Sequence, residues 1–336
     1  MKKLLYIIPA VVLAMAFAGC HKKPDNWSGA DTIAIERCPT FQKDSAMQLV
    51  KVQCDMGPRV TGSEANAKCV EWMKIMFEKY GCEVTVQDAQ VTTWDGTVLP
   101  CHNVIARLNP KAHDHVMICT HFDSRPWADN DPDEKNHHTP VLAANDAASG
   151  VAMMLEMARV MKAQPLKSYG IDFVCFDAED MGTPQWSDKA DDPDSEKTWC
   201  LGSKVWADKA VEEGYKARYG ILLDMVGGRG ATFAKEQFSV QYARPIVDML
   251  WALAAQIGYG SYFNNSEGGA LIDDHINVNQ IAAIPCIDVV PYYTEGPSSF
   301  GPTWHTVSDT PENIDPNVME AIGQSILQML YNDDVK

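Results

Sequence analysis

The order of elements predicts an α/β fold in one domain, with a mostly parallel sheet covered by helices on both faces. Two observations carry this expectation. Short apolar runs rich in β-formers alternate with segments of helical period. Acidic and histidine residues sit just past the ends of those runs, where open α/β sheets place their ligands.

The N-terminus reads as a leader. After Lys2 and Lys3 the chain is apolar from Leu4 to Ala18 and then reaches Gly19 and Cys20. That run is shorter than the roughly 18 residues of a spanning helix, so residues 1–19 are expected to be a signal peptide. Phe17-Ala18-Gly19-Cys20 resembles the bacterial lipobox, whose cysteine becomes the acylated first residue. The resemblance implies an exported protein tied to the membrane by a lipid on Cys20, in the periplasm. Residues 20–40 are expected to be a tether and 41–336 the folded domain.

From Asp44 to Tyr80 the pattern is helical, broken at Gly57-Pro58-Arg59 and stopped at Gly81. Strands are expected at Cys82–Val86, Asn103–Leu108, Val116–Thr120, Ile171–Phe176, Gly220–Val226 and Ile284–Val290. Helices are expected at Val151–Lys162, Gly202–Glu213, Ala243–Ile257 and Asn317–Asn332. The acidic stretch Ser187–Thr198, with Pro193 in its middle, is expected to form a flap beside the ligand site.

Charge narrows the function. Loss of Lys2 and Lys3 with the leader takes the formal charge from -17 to -19, and no Lys/Arg cluster follows Lys23. A nucleic-acid or phosphate partner is therefore not expected. There are ten cysteines. With Cys20 acylated nine are left, and an odd number leaves a free thiol; Cys119 and Cys175, inside apolar runs, read as buried thiols. Cysteines 38, 54, 69, 82, 101, 200 and 286 include candidates for disulfides.

His121 and Asp123 follow one strand, Asp177, Glu179 and Asp180 the next, and Asp224 closes another. Asp146 opens a helix, where taken alone it reads as an N-cap, and His305 stands in the loop Gly301–Asp309. Acids converging on one sheet edge repel one another unless a cation lies among them. Carboxylate and imidazole donors without cysteine point to catalytic zinc.

Six segments extend this reading: Gly57-Pro58-Arg59-Val60-Thr61-Gly62-Ser63, Thr120-His121-Phe122-Asp123-Ser124, Ala144-Asn145-Asp146-Ala147-Ala148-Ser149-Gly150, Asp177-Ala178-Glu179-Asp180, Leu222-Leu223-Asp224 and Trp304-His305-Thr306. In that order they resemble the zinc aminopeptidase superfamily, which implies a twisted, mixed but mostly parallel sheet. Its two-zinc ligand positions match His121, Asp146, Asp180, Asp224 and His305, so ligand identity alone leaves a dinuclear site open.

Within the superfamily the chain looks most like the animal-type glutaminyl cyclases and their bacterial relatives. That resemblance implies one zinc per chain on Asp146, Asp180 and His305, with peptides bearing N-terminal glutamine as substrates. It implies Glu179 as proton shuttle, Asp273 and Asp224 in a hydrogen-bond network with it, and Trp186, Trp304 and Phe300 around the substrate. Asp180 replaces a glutamate of the animal enzymes, and Thr120 stands where they have a cysteine, so their disulfide is not carried over. Trp127, Trp199, Trp206 and Trp251 have no ligand beside them in sequence, and His137 and His138 read as a solvated loop. A dizinc aminopeptidase and a non-catalytic peptide binder are the competing readings.

Overall fold

The computed structural model describes residues 33–296 and 298–334. The expected signal peptide and the lipid-bearing Cys20 lie outside them.

Helices α1 (Lys43–Asp55) and α2 (Glu64–Lys79) flank the break at Gly57-Pro58. Ser63 caps α2 by accepting from the Asn66 amide, and Gly81, at φ +93°, ends it in the left-handed region where a side chain is strained. Strands β1 (Glu83–Thr92) and β2 (Val98–Leu108) form an antiparallel hairpin longer than either run predicted, because pairing extends through polar residues that face solvent. Then follow β3 (His115–His121), α3 (Ala148–Ala163), β4 (Gly170–Phe176), α4 (Leu201–Glu213) and β5 (Gly220–Leu223). The chain continues through β6 (Phe233–Lys235), α5 (Gln237–Gln256), β7 (Phe263–Glu267), α6 (Asp274–Gln280), β8 (Cys286–Val289) and α7 (Pro316–Asp333).

The main sheet has the order β1-β2-β4-β3-β5-β8. β4, β3, β5 and β8 are mutually parallel and β1-β2 is an antiparallel edge, so the expected α/β sheet is mixed and mostly parallel. Alternation along the central strands sends Ile118, Phe173 and Ile221 into the core shared with α1, α2, α3, α5 and α7. Met117, Val174 and Leu222 face the opposite way, toward α4 and α6. Burial on both faces explains why these strands read as unbroken apolar runs.

Close packing fixes the parts that carry the site. A Cβ on Gly150 would lie 2.2 Å from Thr120 Oγ1, which seats α3 against β3. One on Gly202 would lie 1.8 Å from the Asp177 carbonyl oxygen, so the start of α4 presses directly on the turn after β4.

Two expectations change. Residues 33–40 are docked rather than a free tether: Gln328 donates to the Glu36 carbonyl, Asn332 accepts from the Glu36 amide, and Phe41 fills the space over Gly323 in α7. The compact unit accordingly begins at Ile33. No disulfide forms among the described residues; Cys38, Cys54, Cys69, Cys82, Cys101, Cys119, Cys175, Cys200 and Cys286 are free thiols, all but Cys38 buried. The buried ones fill core space as small apolar groups, and burial raises the pKa of Cys69 and Cys175.

Candidate metal centre and active-site cleft

The carboxyl ends of β3, β4 and β5 meet the start of α3 and the loop before α7. Asp146, Asp180 and His305 each offer a ligand atom within 4.8 Å of the others, and so, separately, do His121, Asp146 and Asp224. His305 Nε2 lies 3.0 Å from Asp180 Oδ1 and 3.6 Å from Asp146 Oδ2. His121 Nε2 lies 2.9 Å from Asp146 Oδ1 and 3.3 Å from Asp224 Oδ1. Asp146 therefore joins both groups. It does not cap α3, whose N-cap is Ala147 with no side-chain bond.

Backbone clamps aim the two adjacent acids, Glu179 and Asp180. Asp123 accepts from both their amides at 3.1 Å, Ala178 takes φ +55°, and the Cys200 amide donates to the Glu179 carbonyl. Beneath the turn, Asp177 accepts from Thr61, Asn66 and the His102 amide. A regular strand would send Glu179 and Asp180 to opposite faces. This tied turn brings Glu179 into the cleft, partly open to it, and Asp180 against the ring of His305 beneath.

The electrostatics fit a cation. Both carboxylate oxygens of Asp180 and Oδ1 of Asp224 are buried without a hydrogen-bond partner. Burial opposes ionisation of Asp180, yet His305 and Arg125 outweigh it and hold its pKa below the usual value. Burial and the neighbouring Asp180 push Asp146 upward. Burial would depress His121, but Asp123, Asp146 and Asp224 overcome it and hold the imidazole well above its ordinary pKa. An oxygen, oxygen, nitrogen set with unpartnered carboxylate oxygens suits zinc, with a position left for water or substrate.

Glu179 is driven well above the usual carboxylate range by burial, with Asp180 and Asp273 adding to the shift. Asp273 rises likewise through burial, Asp224 and Asp274. Asp273 stands within 4.8 Å of Glu179, but the direct hydrogen-bond donor to Glu179 is Cys200, whose Sγ lies 3.2 Å from Oε1. Asp273 itself caps α6 through the Asp274 amide. The expected hydrogen bonds among Glu179, Asp273 and Asp224 do not form in the structure, and the thiol is a partner of Glu179 that its sequence position did not reveal.

Trp304 and Phe300 line the cleft together with Ile272, and their rings pack 4.6 Å apart. Trp186 lies outside that lining. It is 40% exposed and packs on Trp127 and His138, so it is not the cleft tryptophan expected from its place after Asp180. That position belongs to Trp199, at the far end of the same loop. Glu196, in the expected flap, also reaches the cleft wall.

Residues 103–330 match peptidase family M28. The chain belongs to that family. A crystal structure of a Bacteroides thetaiotaomicron glutaminyl cyclase bound to N-acetylhistamine is 43% identical, with a TM-score of 0.85 over 88% of this M28 chain and 99% of that one. A leucine aminopeptidase precursor from the same species is 42% identical, with a TM-score of 0.84 over 89% of this chain and 99% of that one. The glutaminyl-peptide cyclotransferase of Gloydius blomhoffii is 28% identical over 258 residues. That match covers 68% of this chain and 64% of the snake protein, so the chain spans less than two thirds of that relative's length.

Proposed function

We propose that this M28 chain is a glutaminyl-peptide cyclotransferase with one zinc per chain, acting on peptides or proteins that begin with glutamine. The observation that carries the reading is the meeting of the Asp146, Asp180 and His305 triplet with a half-buried proton acceptor, Glu179, at one aromatic cleft. Zinc held by those three residues would supply Lewis-acid polarisation of the glutamine γ-carbonyl. The substrate's own α-amine is the nucleophile, so no serine or cysteine has to attack.

Glu179 takes a proton from the α-nitrogen as the C–N bond of the lactam forms. It returns that proton to the γ-amide nitrogen as the old C–N bond breaks, and ammonia leaves. A carboxylate whose pKa is raised holds the transferred proton more readily. Trp304, Phe300 and Ile272 shield the reacting carbon from bulk water, which favours ring closure over hydrolysis. Asp180 and Asp273 add negative charge beside Glu179 and so favour its protonated form, and Asp224 does the same to Asp273.

The second triplet, His121, Asp146 and Asp224, is the observation that favours the alternative, a dizinc aminopeptidase. Mass spectrometry of a Gln-Phe-Ala peptide treated with protein lacking residues 1–20 separates the two. Chelator-sensitive loss of one ammonia with the chain intact is expected. Free glutamine among the products would instead establish the aminopeptidase.

The apolar run before Gly19-Cys20 supports export to the periplasm and a lipid anchor on Cys20. Among the described residues no helix is long and apolar enough to cross a membrane. Cys20→Ala is expected to move the protein from the membrane pellet to the soluble fraction; continued sedimentation with membranes would rule the anchor out.

A further inference from the structure

His305 is constrained at its ring face and at both nitrogens. Trp304 stacks on it with centroids 4.0 Å apart, and Trp199 flanks it at 5.8 Å with planes only 3° apart. The Trp199 indole is itself confined. The Arg125 guanidinium lies 4.4 Å from its ring centroid, and a Cβ on Gly182 would come within 2.0 Å of it.

Arg125 links these contacts to the metal ligands. It forks onto Asp129 at 3.1 and 2.6 Å, and its remaining nitrogen donates to the carbonyls of Asp180 and Gly182, each at 3.0 Å. Asp129 Oδ1 in turn lies 3.5 Å from His305 Nδ1, the nitrogen turned away from Asp180. Arg125, Asp129 and His305 are all buried. At that separation the contact is electrostatic rather than a formed hydrogen bond. It still favours the tautomer carrying its proton on Nδ1, which leaves the Nε2 lone pair free for a cation.

We infer that Arg125, Asp129 and Trp199 are positioning residues acting as one unit, which sets the tautomer and ring plane of His305 while holding the backbone of Asp180. The inference rests on the zinc reading above. Arg125 touches both ligands, one through Asp129 and one through a carbonyl, so the register of Asp180 against His305 depends on a single guanidinium. Its fork needs a planar group with several donors, which lysine lacks.

The test is zinc affinity, measured by chelator competition, in the otherwise unchanged domain. Wild type must first bind zinc; if it does not, the zinc reading falls and this inference with it. If it does, Asp129→Asn is expected to weaken zinc by about 10–100-fold, the range of lost outer partners. Trp199→Leu is expected to weaken zinc by about tenfold, the low end of that range, and Trp199→Phe, which keeps a flat ring, by clearly less. With zinc saturating, Asp129→Asn should recover KM while kcat stays lower, because the fault lies in ligand orientation and Asp129 stands outside the cleft lining. Thermal unfolding identifies any variant that fails to fold, and because Asp129→Asn leaves Arg125 without its partner, the Trp199 pair decides the matter if Asp129→Asn does not fold. Folded variants with wild-type zinc affinity, or Phe and Leu at Trp199 weakening zinc alike, would overturn the inference.

Discussion

Glu179→Gln is expected to cut kcat for ammonia release by about 10²–10⁴-fold, the usual worth of a positioned proton carrier. Zinc content and KM should remain close to wild type. The substitution keeps size and shape, and Glu179 lies outside the Asp146, Asp180, His305 triplet. The thiol of Cys200 retains an oxygen to bond, since the amide offers a carbonyl where Oε1 now accepts. What the amide loses is the capacity to take up a proton. A coupled ammonia assay beside metal analysis separates the effects. Activity within a few fold of wild type would remove Glu179 from the mechanism, and loss of zinc would show that it helps hold the metal.

How far the sequence revealed this site depends on how local each signal is. The parallel strands were legible because burial on both faces makes each an apolar run, and their ends marked His121, Asp180 and Asp224. The short elements β6, β7 and α6 gave no such signal. β7 is polar for most of its length, and α6 spans only seven residues. Helix α5 begins six residues before the expected start because Glu236 caps a first turn that then kinks at Ala243, ahead of Pro245.

Side-chain positions across a long loop were the harder part. Trp186 stands close to Asp180 in sequence, but the chain passes it outward onto Trp127 and returns with Trp199 against His305. Nothing around Trp199 marks that return, since its partners Arg125, Gly182 and His305 come from three other segments. Cys200 was read only as a possible disulfide partner. Its left-handed backbone, φ +56°, is what turns the thiol toward Glu179. The N-terminal boundary failed for a related reason: residues 33–40 lack a periodic pattern, and the amides of Gln256, Gln328 and Asn332 hold them one backbone group at a time.

Asp180→Asn should eliminate cyclisation by removing the metal, a different failure from that of Glu179→Gln. The amide matches the carboxylate in shape and keeps an oxygen, but it is uncharged, and a divalent cation loses its charged partner opposite His305. Zinc affinity is expected to fall by more than about 100-fold, beyond the cost of losing an outer partner. Stability supplies the independent readout. Zinc at about 100 times its Kd stabilises a folded protein by about 2.7 kcal/mol, which for a domain of this size shifts Tm by on the order of 5 °C. That shift should appear in wild type and be absent from Asp180→Asn. In the presence of chelator the two should unfold at similar temperatures, because the variant loses the Asp180–His305 attraction but also relieves the repulsion of Asp180 on Asp146 and Glu179. An Asp180→Asn protein that still gains stability from zinc would move the metal to the His121, Asp146, Asp224 triplet and revive the dinuclear reading.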